Sequence, residues 1–197
     1  MLGLGYWNLY GSLYGLPGNV AILWDMVKGA FSSISGARVI TDGEGIDPKL
    51  WAWRMGTMTG VVADPPARTA VWSGDMALTV NPVSPVDGQE AVKLYELSRD
   101  ICAKNGFDFI GETNAIWRSA NHRQLLSHAA GKAEDAARAK ACAEALIAAQ
   151  AEAGYGQILT DPGLGAAVAK TYEKGGRSAL HTRVKQALDP NSIFASA

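Results

Sequence analysis

The chain has 197 residues, a formal net charge of -1, and 48% hydrophobic against 19% charged residues. That is one globular domain, or one domain with part of another, and it excludes a disordered tail. With a pI near 6.3 and basic residues spread along the chain, there is no electrostatic footprint for a nucleic-acid backbone. No apolar run reaches the roughly 18 residues of a membrane span, because Asp25 and Lys28 interrupt the best one, and no signal peptide is visible at the N-terminus.

Residues 5–14, GYWNLYGSLY, are aromatic-rich and flanked by glycines, which predicts a half-buried strand. Its Tyr6, Trp7, Tyr10 and Tyr14 serve either to stack on a planar ligand or, the reading favoured here, to cover a sheet face. Val20, Leu23, Trp24, Val27, Phe31 and Ile34 then recur at helical spacing, with Asn19 placed to cap the helix and Gly36 to stop it. Residues 37–41, ARVIT, read as a second strand before an Asp42-Gly43 turn. Residues 47–72 have mixed periodicity and predict short helical turns.

Residues 76–83 are a strand candidate, followed by Asp87-Gly-Gln-Glu90, which has capping-box spacing. The helix it opens carries the stripe Ala91, Leu94, Leu97 and Ile101 and closes at Gly106. Two strands, 107–116 and 117–128, precede an alanine-rich helix over 132–153, with Glu134 and Arg138 at i,i+4 and Gly154 at its end. With connections this short the economical architecture is α+β, an antiparallel sheet with helices on one face. Residues 1–156 form this unit, and 157–197, with helices near 164–172 and 180–188, leave it as a C-terminal segment.

Candidate chemistry is sparse. Cys102 and Cys142 lack metal-ligand spacing and read as core thiols. The histidines form no HExxH motif, and no serine sits in a GxSxG elbow. Strand alternation puts Arg118 and His122 on one face, either as a solvated or hydrogen-bonded surface or as a pair lining an anionic site. Gly3-Leu-Gly5 resembles the start of a dinucleotide fingerprint, but no strand precedes it and Trp7 and Tyr10 fill positions that need small residues.

Six segments stand in register with one family: GYWNLYGSLYG (5–15), WRMGTMTGV (53–61), NPVSPVDGQEA (81–91), NGFDFIGE (105–112), GYGQ (154–157) and LDPNSIF (188–194). In this order they resemble the C-terminal half of the vanillyl-alcohol oxidase and p-cresol methylhydroxylase family of FAD-linked oxidases. The resemblance implies a cap domain with ferredoxin-like elements, incomplete at its N-terminus, and a return segment over 157–197 toward a FAD-binding domain that is absent. It implies hydride transfer from a para-substituted phenol or related aromatic alcohol to the flavin, with this chain alone inactive. Relatives hold the phenolate with a Tyr-Arg pair after the GYG element, where this chain has Ile158 and Leu159.

A Glu of the relatives falls on Pro66, and the residue tethering flavin in some of them falls on Ala77, so the resemblance implies non-covalent FAD. Ala77, Arg118, His122 and Asn191 are the expected cofactor-proximal residues. An aromatic substrate, a homodimer and an electron acceptor such as a cytochrome are the implied partners. The alternative is a non-catalytic cap-like module for packing or self-association. The compartment is not legible, since any targeting segment would precede Met1.

Overall fold

The computed structural model describes residues 3–61, 76–172 and 176–194. The chain divides into two compact units, Met1–Arg68 and Thr69–Ala197.

The first unit carries two helices, α1 (Pro17–Ser32) and α2 (Pro48–Met58). Residues 5–14 are irregular rather than a strand. The Asn8 amide explains part of this, accepting from the Gly5 N–H (3.0 Å) and donating to the Gly5 carbonyl (2.7 Å), so that it consumes groups a neighbouring strand would need. The rings of Tyr6 and Trp7 are 86% and 70% exposed and cover no sheet. Tyr10 and Tyr14 turn to α2 instead. Arg54 lies over the Tyr10 and Trp53 rings, at 4.3 and 4.4 Å from their centroids, and the Tyr14 hydroxyl donates to the Met58 carbonyl at 2.7 Å.

Pro17 opens α1 behind Leu16, so Asn19 lies inside the helix and does not cap it. Residues 37–41 form no strand; Arg38 reaches back to the Gly3 carbonyl (2.6 Å). Gly3 is the residue this crossing requires, because a Cβ there would sit 1.7 Å from the Gly45 carbonyl oxygen. Of the short helical turns expected over 47–72, residues 48–58 form one continuous helix, whose cap is Asp47, accepting from Lys49 and Leu50 N–H at 3.0 Å, and residues 62–72 lie outside the described residues.

The second unit contains β1 (Met76–Val80), β2 (Pro82–Pro85), α3 (Gly88–Lys104), β3 (Ile110–Ile116), β4 (Ser119–His128), α4 (Ala133–Glu152), β5 (Gly156–Gln157), α5 (Gly165–Thr171) and α6 (Gly176–Leu188). All strand pairs are antiparallel. β3 occupies one edge of β4, while β1 and β2 lie end to end along the other, with Val80 opposite Gln124 and Val83 opposite Asn121. The expected strand over 76–83 is thus a single line broken at Asn81, which Pro82 prevents from continuing as a regular ladder. β5 adds outside β2. Counting β1 and β2 as one strand, the order is the βαββαβ ferredoxin-like arrangement and the class is α+β, as expected.

Side chains alternate across β4. Ala120, His122, Gln124 and Leu126 are buried, with Val80, Pro82 and Ser84 on the same side, and α3 and α4 cover that face. The core joins Val80 and Leu126 to Cys102, Ala139, Cys142, Leu146 and Ile147. Leu164 enters it and Ala167 and Val168 pack on it, so the segment expected to leave the sheet at 157 first packs against α4.

Two local expectations change. Asp87 caps α3 through Gln89 and Glu90 N–H, but Asp87 N–H donates to the Pro85 carbonyl and Glu90 turns to Lys93 and Tyr155, so only half the box forms. Arg138 pairs with Asp135 (3.4 Å), not with Glu134. Truncating Leu126 to Ala at the centre of this core should cost about 2–5 kcal/mol, read as a lower urea midpoint at unchanged slope.

Candidate functional site

The break at Asn81 creates the best-defined local geometry outside the core. Three groups of this residue face one segment: its N–H donates to the Gln157 side-chain oxygen (3.1 Å), its carbonyl accepts from Ile158 N–H (3.0 Å), and its side-chain amide donates to the Leu159 carbonyl (2.7 Å). Residues 157–159 are therefore clamped at the edge of the sheet. Leu159 is held at φ 46°, a left-handed conformation that L-residues with a branched side chain adopt only at a cost. The clamp turns its side chain outward, 91% exposed, with Ile158 beside it at 38%.

A buried amide network backs the clamp. The Gln157 amide donates to the Gln150 oxygen (2.7 Å), and the Gln150 amide donates to Ser98 Oγ (3.0 Å) and Gln124 Oε1 (2.9 Å). Gln124 in turn donates to Ser98 Oγ (3.0 Å), which ties α3, α4, β4 and β5 together. The tyrosine of the GYG element, Tyr155, is buried and donates to Glu90 Oε2 (2.9 Å) on α3. Burial and that carboxylate push its phenol up, so it stays a donor.

Ala77 sits in β1 opposite Ser127, on the sheet face away from the helices. Ile158 and Leu159 lie at the β1/β2 edge through their bonds to Asn81. Arg118 and His122 are not brought together. Arg118 is exposed in the Trp117-Arg118 hairpin turn, where Trp117 takes φ 50°, whereas His122 is buried beneath the helices.

Both nitrogens of His122 are engaged: Nε2 with Ser84 Oγ (2.8 Å) and Nδ1 with Thr113 Oγ1 (2.9 Å). Ser84 gives its own proton to the Pro85 carbonyl (2.9 Å), so Nε2 donates and Nδ1 accepts, a neutral ring. The hydrogen-bonded reading of this face is the one observed. Asn191 is exposed in the turn after α6, beside Asp189, whose carboxylate accepts from Ile193 and Phe194 N–H and pairs with Lys185. Lys185 holds that carboxyl below its usual range. Pro66 lies outside the described residues. Among the described residues no group of three or more His, Cys, Asp or Glu side chains is placed to hold a metal, and no helix is long and apolar enough to cross a membrane.

No family model matches the chain. The flavoprotein subunit of 4-cresol dehydrogenase (hydroxylating) from Pseudomonas putida is 28% identical over 194 residues, which is 98% of this chain and 37% of that protein. The 4-ethylphenol oxidase from Gulosibacter chungangensis, solved with isoeugenol, superposes with a TM-score of 0.83 at 28% identity, over 98% of this chain and 39% of the oxidase. The chain is homologous to the C-terminal portion of this flavoprotein family. p-Cresol methylhydroxylase, solved with substrate bound, agrees with a TM-score of 0.77 at 26% identity, over 92% of this chain and 35% of that one. The chain thus spans little more than a third of the length of these relatives.

The Asn81 clamp and its glutamine network were not singled out in the sequence. A signal existed: Asn-Pro interrupting a strand, and a glutamine, Gln150, on the buried stripe of an alanine-rich helix.

Asn81→Ala removes the bond to the Leu159 carbonyl and should cost about 0.5–1.5 kcal/mol. Amide exchange at Ile158 should accelerate. His122 carries a pH signature. Burial lowers its pKa, so below about pH 6.5 the unfolded chain takes up a proton that the folded chain refuses. Stability is complete above that pH and declines as pH falls through the window beneath it, by at most about 1.4 kcal/mol per unit. Urea unfolding at stepped pH should show this slope, and His122→Gln should remove it.

Proposed function

We propose that this chain is the substrate-side cap of an FAD-dependent oxidoreductase acting on para-substituted phenols or related aromatic alcohols. The observation that carries the reading is the fold agreement with 4-ethylphenol oxidase along 98% of the chain. In this reading the flavin, when bound, accepts the hydride. The part of this chain nearest to it is the sheet face that includes Ala77, with Arg118, His122 and Asn191 as further expected neighbours, of which buried His122 acts only through the strands it joins. An alanine offers no nucleophile or ring for a covalent link, which fits a flavin held non-covalently.

Ile158 and Leu159 supply an apolar wall to the aromatic substrate. Neither Ile158 nor Leu159 has a side-chain donor, so neither holds a phenolate oxygen. Charge stabilisation then falls to residues outside this pair, and the pocket favours substrates that rely on apolar contact more than on ionisation. Homodimer formation and an electron acceptor such as a cytochrome are the partners this reading carries.

A second reading, a non-catalytic cap-like module for packing or self-association, draws on the exposed rings of Tyr6, Trp7 and Tyr14 and the exposed Phe31. It predicts concentration-dependent association of the chain with no flavin chemistry.

Joined to a flavin-binding portion of the family, the chain should give a yellow protein whose flavin bleaches anaerobically on adding 4-ethylphenol or an aromatic alcohol. Acid precipitation should leave the flavin in the supernatant. A yellow protein that no phenol or aromatic alcohol reduces would overturn the substrate assignment, and flavin in the pellet would overturn the non-covalent one.

A further inference from the structure

The sheet ends on one side at β3, and among the described residues no strand pairs with its outer edge. β3 runs against β4 without interruption, from Ile110 opposite Leu125 to Ile116 opposite Ser119. It lacks the proline, lysine and bulge that blunt many edge strands, and its one charged residue, Glu112, stands opposite Arg123 of β4. The Trp117-Arg118 turn has two residues, so Ile116 and Ser119 form a hydrogen-bonded pair, and such pairs recur at every second residue of β3. Gly111, Thr113 and Ala115 therefore direct their N–H and C=O groups away from β4. All three are exposed, and among the described residues no bond from outside the sheet reaches those backbone groups.

The strand is also nearly palindromic in its chemistry. Ile-Gly-Glu-Thr-Asn-Ala-Ile has an isoleucine at each end, a small residue inside each, a polar residue inside that, and Thr113 at the centre. We infer that β3 is the docking edge for a second copy of this chain, paired antiparallel about a two-fold axis at Thr113. In that register Gly111 exchanges both backbone bonds with Ala115 of the second copy, Thr113 with Thr113, and Ala115 with Gly111. Ile110 faces Ile116, which is 54% exposed in the single chain, and Glu112 faces Asn114. Beyond the ladder the same register brings Trp117, 90% exposed, level with Phe109, and exposed Arg118 level with exposed Asp108.

Other registers fit worse. A shift by one residue opposes outward-directed groups with groups already bonded to β4, and sets unlike faces side by side. A shift by two in one direction puts Glu112 against Glu112 of the second copy, and in the other it puts Ile116 against Glu112. The inference concerns the chain by itself and does not rest on the flavin reading.

The test is sedimentation equilibrium of the full 197-residue chain over a range of concentrations, which should show a dimer. Ala115→Pro removes an outward N–H and leaves the β4 ladder its donors, so it should weaken the dimer about ten-fold or more. Arg118→Asp and Asp108→Arg each set like charges together twice across the axis. Each should weaken the dimer by about ten-fold, and the two combined should restore it, which keeps the test open should the proline variant not fold. A chain that stays monomeric up to about 1 mM, or a dimer indifferent to these edge variants, would overturn the proposal.

Discussion

The second unit depends on amide groups buried where its helices meet its sheet. Gln124 on β4 and Gln150 on α4 share Ser98 on α3, and their remaining groups bond to each other and to Gln157. A buried amide left without a partner costs about 1–3 kcal/mol, so sliding either helix by one turn, or β4 by one pair, strands several such groups at once. Leucines in those positions would tolerate neighbouring registers. The network therefore does what apolar packing alone does poorly: it selects one arrangement of α3, α4 and β4 and extends that selection to β5.

The same register has consequences away from the network. It carries Tyr155 to Glu90, which fixes the start of the segment after α4. From there Asn81 takes over, with three bonds to residues 157–159. The route from helix packing to exposed side chains is continuous: Ser98, Gln150, Gln157, Asn81, Leu159. Each step is a hydrogen bond between groups that have few alternatives, which is why an irregular segment with one residue at positive φ is so closely determined.

Much of the second unit was legible in the sequence because its elements announce themselves locally. Asp87 before an amphipathic stripe, Gly106 after it, and a long alanine-rich run ending at Gly154 give α3 and α4 nearly to the residue. Strand alternation set the face of β4 that carries His122, and the structure shows that face buried from Ala120 to Leu126. Resemblance to a flavoprotein family, carried by six short segments, supplied the expectation of ferredoxin-like elements. The first unit was misread because its aromatic runs have strand propensity, but Asn8 folds the backbone on itself and Arg54 draws Tyr10 to α2. The first is a side-chain bond to a residue three positions back and the second a contact between residues far apart in sequence, and propensity registers neither. The site was legible as positions and illegible as geometry. Ile158 and Leu159 were marked by where they fall after the GYG element, while Asn81, which holds them, looked like part of a strand.

That division has a physical basis. The clamp on residues 157–159 uses the side chains of Asn81 and Gln157 and otherwise only backbone N–H and C=O groups, so it is indifferent to what stands at 158 and 159. Substituting either side chain changes what is presented at the sheet edge without disturbing how the edge is built, except that the residue at 159 must accept a left-handed backbone. An apolar pair and a hydrogen-bonding, cationic pair can therefore sit on the same frame, and the frame by itself decides neither. Fold agreement with these flavoproteins accordingly establishes the frame and leaves the two side chains at its edge free. Here those are hydrocarbon, and under the proposed function a substrate meeting them would be held by area rather than by charge.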